Sequence, residues 1–279
     1  MKKIFLLLFF IMTMFTFSNS LQKTGIREYD EIDHSKGKIT AHFNEDGEKV
    51  KKETASYYRK NFGKTNDLYL IVDYDMEDKV VDIAKIRDLD KLFIDESGAE
   101  GENYTYYENG QIYSLTSYKN GKIDGKYNIY YEDNEPAVEK NYVTGKREGK
   151  QIGYYIGGQI AGEWNFSGDM KDGHQVFYYT DGKLLGEAEY KAGKELDLKF
   201  YYKNKKLLYR KIDGNSKAFH ENGKVMMDFQ KEEFYDKNGK KITEEEFEKK
   251  YGAELQSVLE EGYLNRTFVD ITYLIERDW

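Results

Sequence analysis

Few side chains in this sequence combine a reactive type with a partner at a useful spacing. The four histidines, His34, His42, His174 and His220, have no recurring serine or carboxylate neighbour that would orient an imidazole for acid–base chemistry. Cysteine is absent, which excludes thiolate nucleophiles, thiolate zinc ligands and disulfide bonds. We therefore expect a protein that is not an enzyme.

Carboxylates are abundant, and one group of them is close enough in sequence to suggest calcium. Asp73, Asp75, Asp78 and Asp82 nevertheless lack the glycine and the terminal glutamate of a calcium-binding loop, so we expect a solvated acidic hairpin. A glycosidase-type carboxylate pair is defined in space and stays open. The Gly157-Gly158 pair is not followed by the Gly-Lys-Ser/Thr of a phosphate loop. We expect no metal and no cofactor.

The best candidates for a binding role are tyrosines that recur in adjacent pairs every 24 residues. The pairs are Tyr106-Tyr107, Tyr130-Tyr131, Tyr154-Tyr155 and Tyr178-Tyr179. Adjacent residues of a strand point to opposite faces, so one ring of each pair should be exposed and form part of an aromatic ladder. Such a ladder could stack on sugars or receive an extended segment of another protein. Alternatively, both sets only support the sheet.

Glycines keep the same step and indicate where the chain turns. One set opens each unit, at Gly101, Gly125, Gly149 and Gly173, and a second set follows the tyrosines at Gly110, Gly158 and Gly182, with Asn134 in the remaining unit. Three columns in phase over four units identify a repeat array. We interpret these glycines as structural turn residues.

The elements that carry these columns are predicted to be β-hairpins. The residues around each tyrosine pair form a first strand, an Asn-Gly or Asp-Gly type turn follows, and a second strand ends on an aromatic residue such as Tyr118 or Tyr142. The predicted fold is mainly β, an elongated single-layer antiparallel sheet of tandem hairpins. The array covers residues 101–242, regular to 196 and degenerate beyond it, as terminal units of stacked arrays are.

Two atypical segments flank the array. Residues 21–100 are predicted to be β-rich, with a strand at Lys38–Phe43, a short helix at Thr54–Phe62 and a hairpin of Leu68–Tyr74 with Lys79–Ile86. Residues 243–279 are predicted to form a helical cap, because Thr243 and the glutamate three residues later have capping-box spacing. The apolar run from 268 to 275 is ambiguous.

The first 20 residues have the pattern of a signal peptide. Lys2 and Lys3 precede an apolar run from Ile4 to Phe17, and Ser18 to Ser20 offer a cleavage site before Leu21. The alternative is an uncleaved anchor. We expect an exported protein, periplasmic, on the cell surface or secreted, without an integral membrane span after cleavage.

The charge balance disfavours polyanionic ligands. The chain has 43 basic and 51 acidic residues, a formal net charge of −8. An acidic body attracts neither nucleic acid nor anionic lipid by bulk electrostatics. We expect no nucleic-acid partner.

The repeated phrases resemble the MORN repeat in its bacterial variant form. The resemblance rests on Tyr106 to Gln111, Tyr118 to Lys126, Gly145 to Gly149 and Tyr178 to Lys183. It implies a narrow sheet of consecutive hairpins and a generally non-enzymatic role as a scaffold, a membrane-associated module or a component of toxin–antitoxin systems. The export signal and the acidic balance depart from the antitoxin-like and lipid-binding members. The leading hypothesis is an exported protein that binds another protein through its aromatic surface. Alternatives are a toxin-neutralising component and a glycan-binding module.

Overall fold

The computed structural model describes residues 32–87, 89, 98–262 and 275. The chain divides into two units, Met1–Ile32 and Asp33–Trp279, and Ile32 is the one described residue of the first. The second unit contains the sheet and the helices. The predicted signal peptide and the apolar run from 268 to 275, except Ile275, lie outside the described residues.

The described residues contain one long open antiparallel sheet of 20 strands, and the predicted fold class is confirmed. The strands are β1 Lys38–Phe43, β2 Tyr57–Thr65, β3 Leu68–Asp75, β4 Val80–Ile86, β5 Gly101–Tyr106, β6 Ile112–Lys119, β7 Lys122–Tyr130, β8 Pro136–Val143, β9 Lys146–Arg147, β10 Gly149–Tyr154, β11 Ile160–Ser167, β12 Met170–Lys171, β13 Gly173–Tyr178, β14 Leu184–Lys191, β15 Lys194–Tyr201, β16 Leu207–Ile212, β17 Asn215–Phe219, β18 Val225–Asp228, β19 Glu233–Tyr235 and β20 Lys241–Ile242.

Strands that follow each other in sequence pair with each other, so the sheet is a meander of hairpins with two interruptions. In the middle of the array, β8 pairs with both β9 and β10, and β11 pairs with β12 and β13. In both cases the two partners are parts of one strand interrupted at a single residue, Glu148 or Asp172. The backbone N–H groups of Glu148 and Asp172 donate across the interruption to Asn141 O and Asn165 O at 2.9 and 3.0 Å.

A β-bulge follows the turn of each hairpin and recurs with the repeat. Tyr130 pairs with Pro136, Tyr154 with Ile160 and Tyr178 with Leu184, one step out of register with the rest of the hairpin. The extra residue in the second strand is Ala137, Ala161 or Leu185, and all three are buried. The bulge therefore turns an additional side chain into the core.

The two faces of the sheet differ in composition. One face, which we call the core face, carries a cluster that includes Tyr127, Ile129, Val138 and Trp164, all buried. The other, which we call the open face, carries half-exposed and charged side chains along β7 to β16. This alternation is the period-two pattern of a sheet with one buried face.

Two buried glutamines stabilise the interrupted strands from the core face. Gln175 Oε1 accepts from Asn165 N at 2.8 Å, and its amide donates to Asn165 O and Gly173 O at 3.1 Å each. Gln151 makes the equivalent bonds to Asn141 one unit earlier. Buried backbone N–H and C=O groups need hydrogen-bond partners, and these glutamine side chains supply the hydrogen bonds that the interruption removes from the sheet.

The C-terminal helices begin with the capping box that the sequence predicts. Thr243 Oγ1 accepts from Glu246 N, and Glu246 Oε2 accepts from Thr243 N, each at 3.2 Å. Helix α1 spans Glu244–Phe247, a π-helical turn spans Glu248–Gly252 and α2 spans Ala253–Glu261. Phe247 is buried against β17 to β19.

One predicted element is wrong. Residues Thr54–Phe62 do not form a helix, because Tyr57–Thr65 is strand β2, paired with β1 on one side and β3 on the other. Only Lys52–Thr54 form a short 3-10 turn. The aromatic pair Tyr57-Tyr58 favours a strand, and pairing on both sides outweighs the helical pattern. The strand at Lys38–Phe43 and the hairpin of β3 and β4 are confirmed.

The predicted solvated acidic hairpin is also wrong for two of its four members. Asp73 and Asp82 are buried opposite each other on the core face, where Arg59 binds Asp73 through two hydrogen bonds of 2.8 Å. Only Asp75 and Asp78 lie at the turn. The error arises because Arg59, 14 residues earlier, supplies the charge that lets a carboxylate be buried.

Candidate interaction surface

The second tyrosine of each pair serves the sheet itself. It lies just after the strand, on the core face, and its hydroxyl donates to the backbone carbonyl of the first aromatic residue of the next unit. The bonds are Tyr107 to Tyr130 O, 2.7 Å; Tyr131 to Tyr154 O, 2.6 Å; Tyr155 to Tyr178 O, 2.8 Å; Tyr179 to Tyr201 O, 2.8 Å; and Tyr202 to Phe219 O, 2.9 Å. We call this series the tyrosine clasps.

The clasps continue where the repeat degenerates. His220 takes the place of the second tyrosine, is 2% exposed and bonds Tyr235 O through Nε2 at 2.9 Å. Because a carbonyl oxygen can only accept, the imidazole Nε2–H is the donor in this contact. Burial raises the pKa of both Tyr155 and Tyr179 to about 12, so their hydroxyls stay protonated donors at physiological pH.

The first tyrosine of each pair lies on the open face. Tyr106 is buried, whereas Tyr130, Tyr154 and Tyr178 are half-buried, and each pairs across the hairpin with an apolar residue. We call the resulting band the tyrosine stripe; it consists of Tyr130, Pro136, Tyr154, Ile160, Tyr178, Leu184, Tyr201 and Leu207. The eight predicted binding tyrosines are thus divided, four on each face.

A row of carboxylates lies beside the stripe on the open face. Glu139, Glu163 and Glu187 recur every 24 residues. The Tyr154 hydroxyl donates to Glu139 at 3.1 Å, and the Tyr201 hydroxyl donates to Glu187 at 2.8 Å. These bonds hold the rings in one orientation. A ring that is already held loses little conformational entropy when a ligand binds.

Cations neutralise part of the carboxylate row. Lys150 reaches Glu163, and Lys199 reaches Glu187, each at 2.9 Å. The hydrogen bond from Lys199 holds the pKa of Glu187 below its ordinary value. Burial, reinforced by the Glu187 carboxylate, raises the pKa of Tyr201 to about 12. The surface therefore combines half-exposed rings with charges that are already paired.

His174 lies on the open face, and its imidazole is hydrogen-bonded to a surface carboxylate. Its Nδ1 lies 2.6 Å from Glu189 Oε1, its Nε2 lies 4.0 Å from Glu187 Oε2, and its side chain is about half exposed. A histidine held between carboxylates without a nucleophile has no proton to take from a reacting group. Within the described residues, no three metal-ligating side chains of the His, Cys, Asp or Glu type form a group.

Four acidic residues that the sequence reasoning missed connect successive units at the opposite end of the hairpins. Each precedes a unit-opening glycine and accepts from a backbone N–H 20 residues later. The bonds are Glu100 from Asn120, 3.0 Å; Asp124 from Thr144, 3.2 Å; Glu148 from Gly168, 2.9 Å; and Asp172 from Ala192, 3.0 Å. The signal was available, because an acidic residue stands before each of these glycines.

The two glycine sets occupy left-handed backbone positions. The unit-opening residues Gly101, Gly125, Gly149 and Gly173 have φ of 76°, 118°, 71° and 86°. The turn residues Gly110, Gly158 and Gly182 have φ of 86°, 80° and 77°, and Asn134 has 70°. Glycine, and less readily asparagine, adopts this conformation without steric strain.

Comparison with known families supports the repeat. A family model described as MORN repeat variant matches residues 99–120 and 171–192. In the structure, the first match covers the β5–β6 hairpin and the second covers β13 and β14. The chain is similar to that family in these two segments. A comparison with curated proteins finds no match. No helix of the described ranges is long and apolar enough to cross a membrane.

Proposed function

We propose that this chain is an exported, non-enzymatic binding protein that presents its open face to another protein. The observation that carries the proposal is the tyrosine stripe with its carboxylate row, repeated in register across β7 to β16. In the part of the chain that the structure describes, the core face is occupied by packing and by the tyrosine clasps.

The composition of the open face supports a protein partner. Tyrosine dominates the centres of protein interfaces, because it contributes a large contact area with few rotatable bonds. Tyr154 and Tyr178 lie two strands apart, which is about 10 Å at the ordinary strand spacing. A partner that spans three units would therefore contact Tyr154, Tyr178 and Tyr201, and the rings of Tyr154 and Tyr201 are already held through their hydroxyls.

The exported location is part of the proposal and rests on the sequence of residues 1–20. A chain without cysteine is compatible with an oxidising compartment, because no thiol can mispair there. The toxin-neutralising alternative stays a prediction, which a neighbouring gene for a toxic enzyme would favour.

The test is capture of a partner from an envelope fraction by the mature chain and by variants. A Tyr154→Ala/Tyr178→Ala variant should fail to capture the partner, because the substitutions remove two rings from the open face. Tyr235→Ala is the matched control, since that half-buried tyrosine also donates to a carboxylate, Glu233, but lies outside the stripe. Equal capture by wild type and the double variant would show that the open face is not the docking surface.

A glycan is the second candidate ligand, and the paired charges of the open face favour it. Tyr154 and Tyr201 present rings beside carboxylates, which is a combination that stacks on sugars and accepts from their hydroxyl groups. The test is binding of the wild-type chain to a glycan array. Binding that is lost in Tyr154→Ala/Tyr178→Ala and retained in Tyr235→Ala would show that the ligand of the open face is a sugar and not a protein.

A further inference from the structure

An apolar cavity of about 440 Å³ lies on the core face, away from the open face. Its floor is formed by strands β14 to β18, which include Leu198 and Phe200, and its roof by Leu255 and Val258 of α2. Cavities of this volume are within the range that holds small molecules in proteins.

The cavity separates two packed clusters. The first runs along the array and ends at Tyr179 and Leu185, and the second joins Ala218, Met226 and Phe247. All five residues contact the cavity. Protein interiors pack densely and leave few voids larger than a water molecule. A bound molecule here would complete one continuous core.

The lining excludes polar ligands from the interior of the cavity. The described side chains around it are aliphatic, methionine, phenylalanine or tyrosine, and none of them is charged. The Tyr179 hydroxyl is already bonded to Tyr201 O. Water needs two to four polar partners to occupy a cavity, whereas hydrocarbon needs none. Met226 and Met227 can adjust to the shape of an apolar guest.

The cavity has a route to solvent and an elongated floor. Phe229 lines the cavity and is 45% exposed, so one edge of the lining is in contact with solvent. The floor crosses five adjacent strands, a distance of about 19 Å at a strand spacing of about 4.8 Å. A volume of about 440 Å³ spread over that length suits a single flexible chain better than a compact ring system.

We propose that this cavity binds the unbranched aliphatic chain of a fatty acid, with the carboxylate in solvent beside Phe229. This ligand is separate from the partner of the open face. The methylene groups would lie between Leu198 and Phe200 of the floor and Val258 of the roof, and each buried group would lose contact with water.

The first experiment titrates the full chain with dodecanoate and follows methionine methyl groups by NMR after ¹³C-methyl labelling. Saturable shifts of Met226 and Met227 are expected, while Met170, half exposed on β12, keeps its position. Absence of saturable shifts, or equal shifts at Met170, would overturn the proposal. The wild-type chain suffices for this readout, so it does not depend on any variant folding.

The second experiment fills the cavity. Leu198→Trp should weaken dodecanoate binding at least about tenfold, measured by calorimetry, because the indole takes the volume of the chain. Leu196→Trp is the matched control, on the same strand but 42% exposed and outside the lining. Unchanged affinity in Leu198→Trp would contradict the site. Tyr154→Ala/Tyr178→Ala should bind dodecanoate as wild type does, which separates this test from that of the open face.

Discussion

At the scale of single residues, the two tyrosines of each pair have different environments although they are adjacent and chemically identical. Tyr155 is 4% exposed and donates to a backbone carbonyl, whereas Tyr154 is half-buried and donates to a carboxylate. Strand geometry predicts opposite faces for neighbours but not which neighbour is buried. The core lies on the face to which the second tyrosine points, and that information is not local.

A single clasp has a measurable effect on stability. Tyr155→Phe keeps the ring but removes the donor to Tyr178 O, so the free energy of unfolding should fall by about 1 kcal/mol. Tyr154→Phe removes a hydrogen bond to the partly exposed Glu139 and should change the free energy of unfolding by less than about 0.5 kcal/mol. Urea unfolding of both variants checks this, and equal losses would argue against the clasp.

Asp82 predicts an unusual pH dependence at the N-terminal end of the sheet. Its carboxylate is buried without a side-chain hydrogen-bond partner among the described residues, and burial, followed by repulsion from Asp73 on β3, raises its pKa well above the ordinary value against a smaller lowering effect of the Ile83 backbone N–H. Arg59 on β2 opposes that rise but is bound to Asp73, and Thr105 faces Asp82 from β5.

The sign of the effect follows from the raised pKa. Asp82 contributes stability that is fully present below its ordinary pKa and is lost as pH rises through the folded-state pKa. The Asp82→Asn variant should therefore be more stable than wild type at alkaline pH, whereas the two should be equally stable at acid pH. Chemical unfolding of wild type and Asp82→Asn at intervals between pH 4 and 9 measures this. A less stable Asp82→Asn chain at pH 9 would refute the argument.

At the scale of elements, each hairpin is joined to the next at both ends. A tyrosine clasp connects the units at one end, and the carboxylate of Glu100, Asp124, Glu148 or Asp172 connects them at the other. Hairpins alone would slip in register when one face is uniform, whereas side-chain bonds at both ends fix the pairing.

The Asp172 connection makes the array sensitive to acid. A backbone hydrogen bond from Ala192, and then one from Lys191, hold the pKa of Asp172 below its ordinary value of 3.8. A lowered pKa contributes stability that is present above the unfolded value and is lost as pH falls through the folded value. Asp172→Asn should reduce the loss of stability below about pH 4. Thermal unfolding at pH 3 and pH 7 tests this, and an unchanged acid slope would exclude Asp172 as a contributor.

The hairpins were predictable from sequence because turn glycines and strand aromatics repeat in phase. The connections between hairpins were not predicted, since each joins residues about 20 apart through side chains that look like ordinary surface residues. The predicted helix at Thr54–Phe62 failed for a related reason. Its residues belong to a strand paired on both sides, and pairing partners are not visible in a local pattern.

At the scale of the whole molecule, the sheet is a series of similar units that contact mainly their neighbours. In such arrays stability is close to a sum of units and interfaces, so an internal unit can be removed. Deleting residues 149–172 joins Glu148 to Gly173 and preserves the acidic residue before the glycine. The shortened chain should fold, with a lower slope of unfolding free energy against urea. Circular dichroism without β-sheet signal would show that the units are not interchangeable.

We propose that one repeat register supports two roles on two faces: cohesion through the second tyrosines and binding through the first. The most direct measurement compares partner affinity and thermal unfolding midpoint in Tyr154→Ala/Tyr178→Ala and in Tyr155→Phe/Tyr179→Phe, using the purified partner. We expect the first variant to lose affinity at least about tenfold, and the second to keep its affinity while its midpoint falls by a few degrees. Equal loss of affinity in both, or full affinity in the first, would contradict the division of roles.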